Sequence, residues 1–244
     1  MIDTHVLAAT NFDAHLRHNL YPGRGLVIGR SASSDAWLIV YWIMGRSTQS
    51  RNRRFVAADS ILRTEPVDSS LLADPSLIIY DAMLELPAVY LVSNGDQTRT
   101  IYHELQSGGS FDSALATREH EPDAPHYTPR ISGMLDFRDS SPTLTLSILK
   151  ANPMNPQFTD RFTYRPALSP PGFGVGLTTY NGDGNPLPSF QGEPLLLPCN
   201  GNSDEVLHAY WEALNPENRI AIAVKEIPLQ GGISNLKILN RFEP

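Results

Sequence analysis

Nine consecutive apolar residues, Ala36 to Met44 (AWLIVYWIM), constrain this chain more than any other segment. The run is β-branched and aromatic and contains no turn residue. A membrane-spanning helix needs about 20 apolar residues, so this stretch, the longest of its kind, is too short to cross a bilayer. Its apolarity is continuous rather than alternating, which predicts a strand covered on both faces. Such a strand needs a layered fold around it. A chain of 244 residues with 41% apolar side chains can supply one. Residues 1–244 read as a single domain, with no repeat and no long polar linker.

Strand signals dominate the rest. Gly25 to Arg30 (GLVIGR) is short, apolar and bounded by glycine. Further strands are expected at Leu77–Tyr80, Ala88–Ser93 and Arg99–Tyr102, with Asn94-Gly95 as a hairpin turn between the last two. Others are expected at 130–137, 143–149, 158–164, 173–180 and 219–227. Their closeness in sequence predicts antiparallel pairing. Ser110 can cap a helix through Thr117, and Ser203 starts another with Asp204 and Glu205 in its first turn. Phe12, Leu16 and Leu20 suggest a short N-terminal amphipathic helix. Sheets with a few covering helices make an α+β domain.

The net charge of −7 argues against a globally basic nucleic-acid binder. The charge is uneven, however. Between Arg24 and Arg54 six arginines face one acid, Asp35. Arginine suits bidentate contact with phosphate or carboxylate, so a small anionic ligand is expected in this N-terminal third. A single cysteine, Cys199, excludes an intrachain disulfide framework and reads as an inert thiol. No signal-peptide h-region opens the chain, which predicts a cytoplasmic protein. Homo-oligomeric assembly is also expected.

Three segments concentrate chemistry. The first, Tyr21 to Arg30, combines close-approach glycines with Arg24 and Arg30; a plain turn–strand–turn would look the same. The second, Gly45 to Phe55, sets Arg46, Ser47, Asn52 and Arg53 directly after the most buried strand, where ligand groups are often carried; an exposed basic hairpin tip is the alternative. The third runs from Glu119-His120-Glu121 to Thr128-Pro129-Arg130-Ile131. A carboxylate held there in a low-dielectric cleft can act as general acid/base, and solvated loop charge is the ordinary alternative. His120 and His126 follow no metal-site spacing, so no metal is expected. Nucleophile-elbow, Walker A, zincin and Rossmann motifs are absent from the sequence.

These blocks carry a family resemblance. Gly23-Arg24, Gly29-Arg30, Tyr41, Arg46-Ser47 and Asn52-Arg53 resemble the archaeal-type IMP cyclohydrolases. Asp74-Pro75 with Ile79-Tyr80, then Val92-Ser93-Asn94-Gly95 with Thr98, and Thr128-Pro129-Arg130-Ile131, continue the same order. The resemblance covers roughly residues 21–133 and fades beyond about residue 150. It implies a four-layer αββα sandwich like that of N-terminal-nucleophile hydrolases but without the nucleophile. Met1-Ile2-Asp3-Thr4 agrees, having no Ser, Thr or Cys at its first two positions. The implied reaction is ring closure of formamido-imidazole-carboxamide ribonucleotide (FAICAR) to IMP and water in purine synthesis. The implied partner is therefore a purine nucleotide, with no cofactor, nucleic acid or membrane. Carried over block by block, the catalytic set is Arg53, Tyr80 and Glu121, with Glu119 as a competing register for the acid. Arg24, Arg30, Arg46, Ser47, Asn52, Asn94 and Arg130 fall at substrate-binding positions. The chain departs from the pattern in a longer 46–53 loop, in Gly45 where the family has Ser, and in an extended proline-rich C-terminal third. A non-catalytic nucleotide-binding relative, or a hydrolase of another nucleotide-like amide, would share the same blocks.

Overall fold

The computed structural model describes residues 3–71 and 77–242. The Asp74-Pro75 step and Met1-Ile2 of the sequence reading lie outside the described residues. Helix α1 (Thr4–Phe12) runs into a single wide π turn, Asp13–Arg17. Strands β1 (Gly25–Arg30) and β2 (Ala36–Met44), the one-turn helix α2 (Thr48–Arg51), β3 (Arg54–Ala58) and β4 (Ile61–Glu65) follow. Next come β5 (Asp81–Leu86), β6 (Val89–Ser93), α3 (Gln97–Gln106), α4 (Phe111–Ala116), β7 (Arg130–Asp136), β8 (Thr143–Ala151) and β9 (Thr159–Tyr164). The chain ends with β10 (Phe173–Thr178), β11 (Leu195–Pro198), α5 (Ser203–Ala213), β12 (Arg219–Pro228) and β13 (Asn235–Asn240).

The strands form two antiparallel sheets. One has the order β11-β10-β1-β2-β12-β13, the other β3-β4-β5-β6-β7-β8-β9. Helices α1 and α5 pack on the first sheet, and α3 and α4 on the second, giving an α+β sandwich. All nine residues of β2 are buried, as its continuous apolarity predicts. Each Leu, Ile or Val placed there contributes about 1.5–3 kcal/mol of burial free energy. The sheets meet closely where β7 passes β1. A Cβ on Gly133 would lie 2.9 Å from Ile28 Cδ1, so glycine sets the spacing there. At one edge the Asn240 side chain closes the sandwich by accepting from Phe55 N (2.8 Å) and donating to Phe55 O (3.0 Å).

Several expectations need correction. Residues 99–102 lie in α3, not in a strand. Gln97, Thr98, Ile101 and Leu105 are its buried positions, a helical spacing that four residues alone do not reveal. Asn94-Gly95 therefore turns a strand into a helix. Leu77–Tyr80 is not a strand either, and β5 begins at Asp81. The Thr64 hydroxyl takes over the ladder there, accepting from Tyr80 N (2.9 Å) and donating to Ile78 O (2.8 Å). Leu20 is exposed rather than on the apolar face of α1. Asn202, not Ser203, caps α5, its side chain accepting from the amides of Asp204 and Glu205. No described helix is long and apolar enough to cross a membrane.

Candidate active site

The β1–β2 hairpin delivers its open end to a cleft of about 370 Å³. Gly23 has φ +73°, and a Cβ there would fall 2.2 Å from Thr179 Oγ1 and 2.5 Å from the Tyr180 ring. Only glycine lets the chain turn this tightly and carry Arg24 inward. Arg24 is buried. It donates to Asn94 O (3.0 Å) and to Glu121 Oε2 (3.0 Å), while its Nη1 lies 2.9 Å from Glu121 Oε1. That second approach lacks hydrogen-bond geometry, so Glu121 Oε1 is a buried oxygen with no hydrogen-bond partner. Glu121 lines the cleft with only 3% of its surface exposed. Burial raises its pKa above the ordinary carboxyl value, and the opposing pull of Arg24 only partly offsets this. For Arg24, burial pushes the other way but is outweighed by Glu121 and the phenols of Tyr80 and Tyr41, so the guanidinium stays charged.

On the β2 side the chain leaves Met44 and turns back through α2. Ser47 and Ser50 form a reciprocal capping box. The buried Arg53 then donates Nε to Ser50 O (2.9 Å) and Nη2 to Met44 O (3.1 Å). Among the described residues Nη1 has no partner, and Arg53 lines the cleft. Arg46 sits at the mouth, 4.9 Å above the Tyr21 ring and paired with Asp183. Tyr21 in turn stacks on Tyr180, with centroids 5.9 Å apart. Cationic, acidic and aromatic groups thus face one space, an arrangement suited to a planar, polar anion.

The structure sorts the sequence-derived candidates. Arg24, Arg46, Ser47, Arg53 and Glu121 come together in the cleft. Tyr80 is not among the residues that line the cleft; its hydroxyl lies 2.7 Å from that of the buried Tyr41. Glu119 is not among the cleft residues, so the acid that faces Arg24 is Glu121. Four candidates are directed elsewhere. Arg30 lies at the far end of β1, stacked 5.6 Å over Trp37. Asn52 exchanges two hydrogen bonds with the backbone of Asp68. The Asn94 amide is used by Pro129 O, Ile131 N and Gln97, which holds the β6–α3 turn. Arg130 grips Asp96 and Gln97. Sequence reasoning gave no role to Tyr180, Thr128, Asp123 or Tyr21 in the cleft. Tyr180 arrives from the segment just after β10, and no local spacing announces it.

Among the described residues no group of three or more His, Cys, Asp or Glu is placed to hold a metal. His120 bonds Pro156 O through Nε2 (2.9 Å), whereas His126 accepts from Leu187 N through Nδ1 (3.1 Å). Burial pushes the Cys199 thiol up to about 12, so it stays protonated and inert.

The IMP cyclohydrolase-like protein family matches residues 21–231, a span that contains every cleft residue named above. The chain belongs to that family. An IMP cyclohydrolase of Methanothrix thermoacetophila is 32% identical over 125 residues, which cover 50% of this chain and 60% of that relative. The family match also takes in the C-terminal third that carries Tyr180 and Asp183, beyond the reach of the sequence blocks.

Proposed function

We propose that this chain closes the second ring of a purine nucleotide, converting FAICAR to IMP and water. The observation that carries the reading is the buried, unpartnered Oε1 of Glu121 beside Arg24, in a cleft that also receives Arg53. The carboxamide nitrogen attacks the formamide carbon, forming the N–C bond. Glu121 accepts one carboxamide proton, and Arg53 Nη1 donates to the formyl oxygen as its charge grows. That oxygen is protonated to a hydroxyl. The hydroxyl then leaves as water with one more proton while the formamide nitrogen gives up its own. The carboxamide nitrogen keeps one hydrogen throughout. Both reacting groups are weak, so holding them in contact supplies part of the acceleration, as it does in intramolecular reactions with effective molarities of about 10⁵ M or more.

Arg24 is a positioning residue in this scheme, since it holds Glu121 and ties it to the Asn94 carbonyl. Tyr80 acts in this scheme through its hydroxyl contact with Tyr41. The reading includes a four-layer αββα sandwich of the N-terminal-nucleophile hydrolase type, supported by the helices on the outer side of each sheet. The test is incubation of the purified chain with FAICAR, following purine absorbance. The reading expects FAICAR loss matched by IMP. Binding of IMP without any turnover of FAICAR would overturn it in favour of a non-catalytic relative.

A further inference from the structure

A second polar chain lines the cleft where the segment after β10, beside the start of β1, meets the loop before β7. Asp123 Oδ1 accepts from Thr128 N at 2.7 Å, and Oδ2 accepts from the Thr128 hydroxyl. A threonine hydroxyl has one hydrogen. Because that hydrogen goes to the Asp123 carboxylate, Thr128 Oγ1 can only accept from its other neighbour, the Tyr180 hydroxyl at 2.5 Å. The single hydrogen of Tyr180 is thereby committed inward. Its oxygen keeps a lone pair for the cleft but has no hydrogen to offer it. Burial also raises the phenol pKa, so the group stays neutral. The ring cannot swing away, being wedged against Gly23 and stacked on Tyr21. Tyr180 and Glu121 line the same cleft, and Glu121 is close enough to add to the rise in the Tyr180 pKa.

From this geometry we infer that Tyr180 is a specificity-determining acceptor, fixed as such by Asp123 and Thr128, and that together with Glu121 it reads the two hydrogens of a primary carboxamide. This rests on the proposed ring closure for the choice of group. Glu121 receives the hydrogen that leaves. Tyr180 Oη holds the one that stays, which becomes the N1 hydrogen of the product. Two acceptors suit an NH₂ group and repel a carboxylate or a bare ring nitrogen at the same place. A site that hydrogen-bonds a substrate N–H discriminates strongly against analogues lacking it.

The test compares binding of two nucleotides to the full chain by calorimetry. IMP presents a hydrogen at N1, and AMP presents a lone pair there. Wild type should prefer IMP by at least about tenfold, roughly the net worth of one hydrogen bond. Tyr180→Phe should bring the two affinities to within about threefold, chiefly by weakening IMP. Asp123→Asn lets an amide donate to Thr128 and reverses the chain, turning Tyr180 into a donor, so it should favour AMP relative to wild type. Thr128→Val releases the Tyr180 hydrogen and should also erode the preference, which gives a second route if Asp123→Asn misfolds. An IMP-to-AMP ratio unchanged in folded Tyr180→Phe and Thr128→Val would overturn the inference. Absence of FAICAR turnover with the ratio shifting as described would instead remove the proposed reaction and leave the acceptor assignment standing. Turnover intact with an unmoved ratio would do the reverse.

Discussion

The two ends of the β1–β2 hairpin carry the same dipeptide and opposite roles. Gly23-Arg24 stands at the open end and Gly29-Arg30 beside the turn, about 20 Å apart along the strand at roughly 3.4 Å per residue. At the open end the loops after β6 and before β7 of the second sheet bring in the Asn94 carbonyl and Glu121, and Arg24 is buried on them. At the turn end the neighbours are Trp37 and the Arg30–Pro171 bridge, and Arg30 lies half-buried over an indole. A Gly-Arg pair is therefore no signal of ligand binding by itself. What decides is whether the opposite layer brings a buried partner to it.

The largest effect that would test this contrast is at the partner. Glu121→Gln keeps the shape and removes the proton acceptor, and turnover of FAICAR should fall by about 10²–10⁴-fold with a smaller change in IMP affinity. An equal loss of affinity with kcat unchanged would make Glu121 a binding group only. Arg24→Leu strands that carboxylate in a buried site. Removing one partner of a buried pair costs about 3–5 kcal/mol, visible as a lower midpoint in urea unfolding. A loss below about 1 kcal/mol would mean that the pair is no better buried than Arg30 and its indole. Arg53→Ala should lower kcat by about 10²–10³-fold, the usual effect of removing one donor to a developing oxyanion, with fold stability followed by circular dichroism. Arg30→Ala is the control at the other end. It should cost only about 0.5–1 kcal/mol of cation–π stabilisation and leave KM within about twofold. A tenfold rise in KM would erase the distinction between the two ends.

Much of the first sheet was legible because its central strands are extreme. Nine apolar residues in a row and a glycine-bounded apolar hexamer leave little else to form. The second sheet was less readable. Strand β4 mixes Arg63 and Glu65 with Leu62, and β5 opens on Asp81, a residue that propensity disfavours in strands. Asp81 is tolerated because Arg99 of α3 pairs with it at 2.5 Å. The helix that supplies Arg99 was itself read as a strand. In the cleft, residues within one sequence block were found, since Arg46, Ser47 and Arg53 share a single loop. The Asp123–Thr128–Tyr180 chain was not, because Thr128 and Tyr180 meet only through tertiary folding. Asn52, Asn94 and Arg130 make the converse point. They match the family pattern yet hold loops in place, and a pattern does not separate a residue that touches a ligand from one that shapes its site.

The pH dependence of kcat/KM for FAICAR tests the central claim most directly, that a buried Glu121 held by Arg24 takes the proton. Burial raises the folded-state pKa of Glu121, and the group accepts a proton only when ionised. Activity should therefore rise with pH along an acid limb whose midpoint lies above the ordinary glutamate value of about 4.3. In Glu121→Gln the residual activity should lack that limb. An acid limb at the ordinary value, or one that persists unchanged in Glu121→Gln, would contradict the account.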